Sequence, residues 1–259
     1  MIIVAIMKNE QLFLQEWLDH HIELGIKKFI LFNHDKSGYH ISVPSGVEMR
    51  IINYSMYHGS RAQLRAYNEV GKYLAGETAA FIDIDEFICI NPVFQKKLEK
   101  SNKATPLIDA AFEYFGVDAL ALSWMNISAD GRSKRPYGGI RENYLKLCPK
   151  VRAHHNFKSI YRANQNIAWL SHHRATEGIN LHDTDKNIVR GFTTNDLYDK
   201  IYIKHYITKS WEDYVMKLKR GNFTKGVRTV DTFFKYNPDM LHLKAKLTSG
   251  LNISEFPTI

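Results

Sequence analysis

The chain has 259 residues, 44% of them hydrophobic, enough to bury a sizeable core in one large α/β domain or one domain with a small appendage. Its formal net charge of +8 suits an anionic partner: a nucleotide diphosphate, a nucleic acid or an acidic membrane surface. Charge alone does not choose among these, and it serves plain solubility equally well. The two cysteines, Cys89 and Cys148, form no C-x-x-C pair and no zinc spacing, so they read as buried free thiols in a reducing, cytoplasmic setting. The apolar run Met1–Ile6 stops short of Lys8, too brief for a signal-peptide core, and no other run is long enough to cross a bilayer.

Up to about residue 125, strand-like and helix-like segments alternate, the pattern of a layered α/β domain. Ile2–Ile6 is a β-branched apolar run that predicts a buried strand. Glu10–Leu24 predicts a helix, with Leu14, Trp17, Leu18, His21 and Ile22 on one face and Gly25 as its stop. Strands are expected over Lys28–Phe32 and Val47–Ile52. A second helix is expected from Ser60, where Ser60 and Gln63 make a capping box, to just before Gly76. Thr78–Ile82 predicts the next strand, Pro106–Phe115 a helix and Ala119–Trp124 a strand.

Ser128–Gly139 is polar and glycine-rich and reads as a long functional loop or lid. Short strands are expected at Tyr144–Leu147, Phe157–Tyr161 and Ile201–Tyr206. A last clear helix spans Ser210–Arg220, capped by Ser210 with Asp213 and ended by Gly221. No domain boundary, repeat or low-complexity tract stands out. The expectation is a single domain over 1–259 with a C-terminal helical segment from about 208.

The sharpest chemical feature is Phe81-Ile82-Asp83-Ile84-Asp85-Glu86-Phe87, with three acids in four positions straight after an apolar strand. Like charges placed there repel and lose hydration, which a cation relieves. On an extended segment Asp83 and Asp85 point to one side and make an oxygen clamp for Mg²⁺ or Mn²⁺. The alternative is a solvated turn with one capping aspartate. Lys8-Asn9-Glu10, where the first strand enters a helix, offers backbone amides to a nucleotide, or equally a helix cap at Asn9. Arg61, Arg65 and Asn68 on the second helix make either a phosphate contact or a solvated face. Lys158-Ser159-Ile160, Ser171-His172-His173 and Ile203-Lys204-His205-Tyr206 follow. His205 alternates with apolar neighbours, which fits a metal ligand or a hydrogen-bonded core histidine. The His-His pairs at 20/21, 154/155 and 172/173 lack zinc spacing. There is no phosphate loop, nucleophile elbow or dinucleotide fingerprint.

Taken in order, these pieces resemble the family 92 glycosyltransferases and their bacterial relatives. The series runs from Met7-Lys8-Asn9-Glu10 and Glu16-Trp17-Leu18-Asp19-His20-His21, through Phe32-Asn33-His34, Gln63, Tyr67-Asn68 and Ala80–Phe87, to Trp124, Lys158-Ser159-Ile160, His172, His205-Tyr206 and Lys219-Arg220-Gly221. The resemblance implies a GT-A, Rossmann-like fold: a mostly parallel, nucleotide-sugar-binding sheet flanked by helices. It implies a metal, Mn²⁺ or Mg²⁺, on Asp83, Asp85 and His205. It places Lys8, Asn9, Glu10, Asn33 and His34 around the nucleotide of a UDP-sugar, and Lys158 and His172 near the diphosphate or acceptor. It departs from the family in having Asn33-His34 where an Asp-Asn pair is usual, and Asn126-Ile127 where Phe-Gly is usual.

The activity implied is inverting hexosyl transfer to a glycan or lipid-linked acceptor such as lipopolysaccharide. Its setting would be the cytoplasm at the inner membrane face, with peripheral association through the basic surface and no nucleic acid. Asp130 is the first candidate for general base, with Glu142 and Glu177 behind it. The rival readings are a metal-dependent phosphohydrolase acting on nucleotide-sugars and a basic nucleic-acid-binding protein.

Overall fold

In a computed structural model, the residues described are 1–35, 38–55, 62–71, 73–74, 76–101, 104–149, 156–162, 179–191, 195–220 and 229–248. In chain order they form β1 (Ile2–Met7), α1 (Gln11–Glu23), β2 (Lys28–Asn33), β3 (Glu48–Asn53), α2 (Ala62–Gly71), β4 (Thr78–Phe81), β5 (Glu86–Ile90), α3 (Pro92–Ser101) and α4 (Leu107–Phe115). There follow β6 (Ala119–Asn126), α5 (Ile140–Asn143), β7 (Phe157–Arg162), β8 (Leu181–His182), β9 (Ile201–His205), α6 (Trp211–Arg220), α7 (Val230–Tyr236) and α8 (Leu241–Thr248). The chain divides into two compact units, Met1–Met125 with Ala153–His205, and Asn126–Arg152 with Tyr206–Ile259. The second unit takes in the C-terminal helical segment expected from about 208. The second is assembled from two separated stretches, so no linker composition marks its boundary.

The first unit is a mixed α/β sheet in the order β3-β2-β1-β4-β7-β6-β9-β5, with β8 added on β6. β1 is buried along its whole length and pairs in parallel with β2 on one side and β4 on the other, which is why it reads as an unbroken apolar run. β2 and β3 continue the parallel half, whereas β7 joins β4 and β6 antiparallel, and β5 pairs antiparallel with β9. β1 and β4 are neighbours although β2 and β3 lie between them in sequence. The connection reverses at that point, and open α/β sheets bind ligands beyond the carboxyl ends of the strands at such a reversal.

Gly25 ends α1 with φ +96°, and a Cβ there would lie 2.7 Å from Pro106 Cβ, so both the turn and the close approach to the start of α4 require glycine. On the outer side, α1 covers β5. Trp17 Nε1 donates to Glu86 O at 2.9 Å, His20 Nε2 meets Ile88 O at 2.6 Å, and Ile88 N donates to His21 Nε2 at 3.2 Å. His21 Nδ1 lies 2.7 Å from Trp17 O. These bonds fix His21 as the tautomer that donates from Nδ1 and accepts at Nε2. The His20-His21 pair thus satisfies the free edge of a terminal strand, where unpaired backbone groups would otherwise be exposed.

In the second unit, the segment after residue 128 is not a free lid. Arg132 O and Ser133 O accept from Trp211 N and Glu212 N, and Ser210 Oγ accepts from Asp213 N, so the orphan amides at the start of α6 are satisfied. Arg135 forms an ion pair with the buried Asp213 carboxylate, whose other oxygen accepts from Ser210 Oγ at 2.8 Å. Trp211, Tyr214, Phe233, Phe234, Met240 and Leu243 make the core. The strand expected at Tyr144–Leu147 is reduced to one bridge, Ile127 to Leu147, made by Ser128 N donating to Lys146 O and Cys148 N to Asn126 O. The Ser60 cap lies outside the described residues.

Candidate active site

The acids after β4 sit in a turn, not in an extended strand. Regular pairing ends at Phe81, and Glu86 N bonds back to Asp83 O at 3.1 Å while Asp83 N donates to Glu86 Oε2 at 2.9 Å. The period-two alternation expected to aim Asp83 and Asp85 together therefore does not apply. The turn gives them different surroundings.

Asp83 is partly exposed and is tied to β7 and α2. Phe81 pairs with Ser159 of β7, which brings Lys158 alongside the turn. Lys158 Nζ lies 3.0 Å from Asp83 Oδ2 and 3.6 Å from Glu86 Oε2, and its side chain is fully buried. Burial alone would lower its pKa, but Asp83, Glu86 and Tyr67 more than reverse that and hold it above the ordinary lysine value. Burial pushes the Glu86 carboxyl well above the usual carboxylate range against the pull of Lys158. The second oxygen of Asp83 accepts from Gln63 Nε2 at 2.6 Å, and Gln63 also donates to Tyr67 Oη at 2.9 Å. Gln63 and Tyr67 are four apart on the buried face of α2, with the Tyr67 ring against Phe81.

Asp85 is the more buried of the two and neighbours β9. Glu86 pairs with His205 across the β5–β9 ladder, and this register sets His205 Nε2 3.8 Å from Asp85 Oδ1. Both side chains are nearly buried, and the Trp124 ring lies 4.1 Å from the imidazole, centroid to centroid. A separation of 3.8 Å suits two ligands of one small divalent cation, each about 2.1 Å away. Among the described residues no group of three or more His, Cys, Asp or Glu side chains is gathered to hold a metal. That is compatible with Mg²⁺-type sites, which use one or two carboxylates and take their other oxygens from substrate phosphates and water.

The turns after β1 and β2 are tied together. Asn9 has φ +52° and donates its amide to Asp35 Oδ2 at 2.6 Å, so it does not cap α1. Lys8 N donates to Glu10 Oε2 at 3.2 Å, Asp35 N to Asn33 Oδ1 at 2.8 Å, and His34 N to Met7 O at 2.9 Å. Tyr39 Oη donates to the same Asp35 carboxylate. Glu10, Asn33 and His34 are buried in this knot.

Of the residues singled out from the sequence, Asp83, Asp85, His205 and Lys158 come together, and Lys8, Asn9, Glu10, Asn33 and His34 form the neighbouring turn cluster. Lys158 is buried beneath Asp83, so it reaches the acid turn and not open solvent. Arg65 lies on the exposed side of α2, and Asn68 Nδ2 bonds to Leu64 O of its own helix. Asp130 and Glu142 belong to the second unit; Asp130 has φ +52°, and Glu142 Oε1 accepts from Gly139 N. Arg61, His172 and Glu177 lie outside the described residues. Gln63, Tyr67, Glu86, Trp124 and Asp35 were not singled out as site residues. Gln63 and Tyr67 carried a signal, a polar pair at helical spacing on an otherwise apolar face.

No protein-family model matches the chain, and no curated protein matches it. Among solved structures it is similar to S. aureus TarS, with 13% identity and a TM-score of 0.34 over 62% of this chain and 28% of that one. It is also similar to a putative glucose-1-phosphate thymidylyltransferase from Bacillus anthracis in complex with a sucrose, with 10% identity and a TM-score of 0.29 over 62% of this chain and 70% of that one. The chain thus spans well under half the length of TarS. At these values neither likeness carries functional weight.

Proposed function

We propose that the chain is a metal-dependent glycosyltransferase of the GT-A type that takes a hexose from a nucleotide-sugar, a UDP-sugar in the first instance. The observation that carries this reading is the pairing of Asp85 with His205 at 3.8 Å, beside an acid turn at the carboxyl end of β4, next to β1 where the sheet order reverses. Ligands of open α/β sheets bind at that place. Asp85 and His205 would hold Mn²⁺ or Mg²⁺, which when bound neutralises charge on the departing diphosphate. Asp83 is anchored by Lys158 and Gln63 and keeps the turn in register. The knotted turns after β1 and β2 would border the nucleotide. Inversion and a glycan acceptor such as lipopolysaccharide rest on the sequence resemblance alone.

Calorimetric titration with UDP, GDP, CDP and dTDP, each with and without Mn²⁺, tests the reading. The expected result is binding of one diphosphate that requires the metal and is lost in Asp85→Asn. A folded protein that binds none of them overturns the proposal, and hydrolysis of a UDP-sugar without transfer would turn it to a phosphohydrolase.

A further inference from the structure

α3 buries Phe94 and Leu98 against α4, with the Phe94 ring 4.9 Å from Tyr114 and 6.1 Å from Phe115. Its opposite face is Val93, Lys96, Lys97 and Lys100, spaced i, i+3, i+4 and i+7, so all four fall on one stripe. Val93 is 79% exposed, and the stripe with Ser101 lines a shallow hollow of about 530 Å³. Like charges three and four apart work against a helix. The one acid nearby on α3, Glu99, lies off the stripe and bonds to Gln95.

The charge extends beyond the helix. Lys97 Nζ sits 4.7 Å from the centroid of the Tyr114 ring and 2.9 Å from its hydroxyl, and Lys186 Nζ lies 5.8 Å from the same centroid. Lys186 is held at φ +65° in a turn whose next exposed aliphatic residue is Ile188, 50% exposed. The acids beside that turn are already engaged: Asp185 and Asp199 both pair with Lys200. Among the described residues, no carboxylate lies within ion-pair distance of Lys96, Lys97, Lys100 or Lys186.

We infer that the α3 stripe with the Lys186 turn is a docking face for an anionic lipid bilayer. Lysines on flexible apolar stems around exposed aliphatic side chains match the interface of a charged membrane, where the ammoniums meet headgroups and Val93 and Ile188 reach the acyl boundary. Single-stranded nucleic acid calls for an open aromatic platform, and the aromatic ring at this face, Tyr114, is covered by two ammoniums. This inference stands apart from the nucleotide-sugar reading, since none of its residues belongs to the acid turn. Among the described residues no helix is long and apolar enough to cross a membrane, so attachment here would be peripheral.

The test is co-sedimentation of the full chain with phosphatidylcholine vesicles with and without phosphatidylserine. Wild type should partition to the phosphatidylserine vesicles. Each lysine near such a surface contributes about fivefold, so the triple variant Lys96→Glu/Lys100→Glu/Lys186→Glu should bind about a hundredfold less well or worse. A control with the same charge change at exposed lysines elsewhere, Lys27→Glu/Lys219→Glu/Lys235→Glu, should lose far less, and Val93→Asp should remove the binding that survives high salt. Melting curves confirm that each variant is folded. No phosphatidylserine dependence in wild type, or an equal loss in the control, overturns the inference. So does loss of single-stranded RNA binding in the triple variant with vesicle binding unchanged.

Discussion

Lys158 is the residue whose removal most directly tests the account of the acid turn. Its ammonium is fully buried, 3.0 Å from Asp83 and 3.6 Å from Glu86, with Glu86 fully buried and Asp83 about a third exposed. Lys158→Met fills the volume and deletes the charge. Breaking a buried ion pair from one side costs about 3–5 kcal/mol, because the remaining charge is left without compensation. Here that charge is Asp83, because burial already holds the Glu86 carboxyl well above the usual carboxylate range; the partial exposure of Asp83 sets the cost at the lower end of that span. For a chain of this size melting as one, a loss at that lower end corresponds to roughly 6 °C in Tm.

Removing the second charge should restore most of it. In Lys158→Met/Asp83→Asn the amide oxygen can still accept from Gln63 Nε2, and no unpaired ion remains. The double-mutant cycle should therefore show a favourable coupling of about 1–3 kcal/mol. Urea unfolding followed by circular dichroism and tryptophan fluorescence on all four proteins supplies the cycle. Additive single effects, or a Lys158→Met cost below about 1 kcal/mol, would refute the buried-ion reasoning.

Three other expectations follow from the same structure. His21→Ala removes the acceptor for Ile88 N, and Trp17→Phe removes the donor to Glu86 O; each should cost about 1–3 kcal/mol, with His21→Ala also raising the hydrogen-exchange rate of the Ile88 amide. Asp85→Ala and His205→Ala should each weaken Mn²⁺-dependent diphosphate binding at least about tenfold, whereas Arg65→Ala, on the exposed side of α2, should leave it unchanged in the same titration. Burial, with the Asp239 charge behind it, pushes the Cys148 thiol up to about 12, so alkylation at pH 8 followed by peptide mapping should leave Cys148 unlabelled until the protein unfolds. Because folding raises that pKa, the stability it contributes is complete below the unfolded value and is lost as pH climbs toward 12.

The parallel half of the sheet was legible because β1, β2 and β4 are short apolar runs, each separated from the next by helical spacing or glycine punctuation. β5 and α3 were not read, although Phe87-Ile88-Cys89-Ile90 is apolar and β-branched and Pro92 stands at the first helical position with Phe94 and Leu98 four apart. The acids before them drew the segment toward a loop. The long segment after Ser128 looked like a lid because its composition is that of a loop. Its fastening to the start of α6 depends on backbone carbonyls, which no side-chain pattern reports. Asp85 and His205 are 120 residues apart in sequence, and only the antiparallel register of β5 on β9 makes them neighbours.

That register also explains why the acid motif and the histidine pair of α1 belong to one device. β4 hands the chain to β5 through the Asp83–Glu86 turn, and β5 is the terminal strand of the order, held on one side by β9 and on the other by side chains of α1. A slip of β5 by one residue would reverse its faces, carrying Phe87 out of the core and Glu86 away from Lys158. Trp17, His20 and His21 bond specifically to Glu86 O, Ile88 O and Ile88 N, so they recognise a single register. Lys158 recognises the same register from beneath, through Asp83 and Glu86. Two independent locks on a five-residue strand exceed what packing its four apolar residues needs, and they converge on the one outcome that packing alone does not secure, the placement of Asp85 against His205.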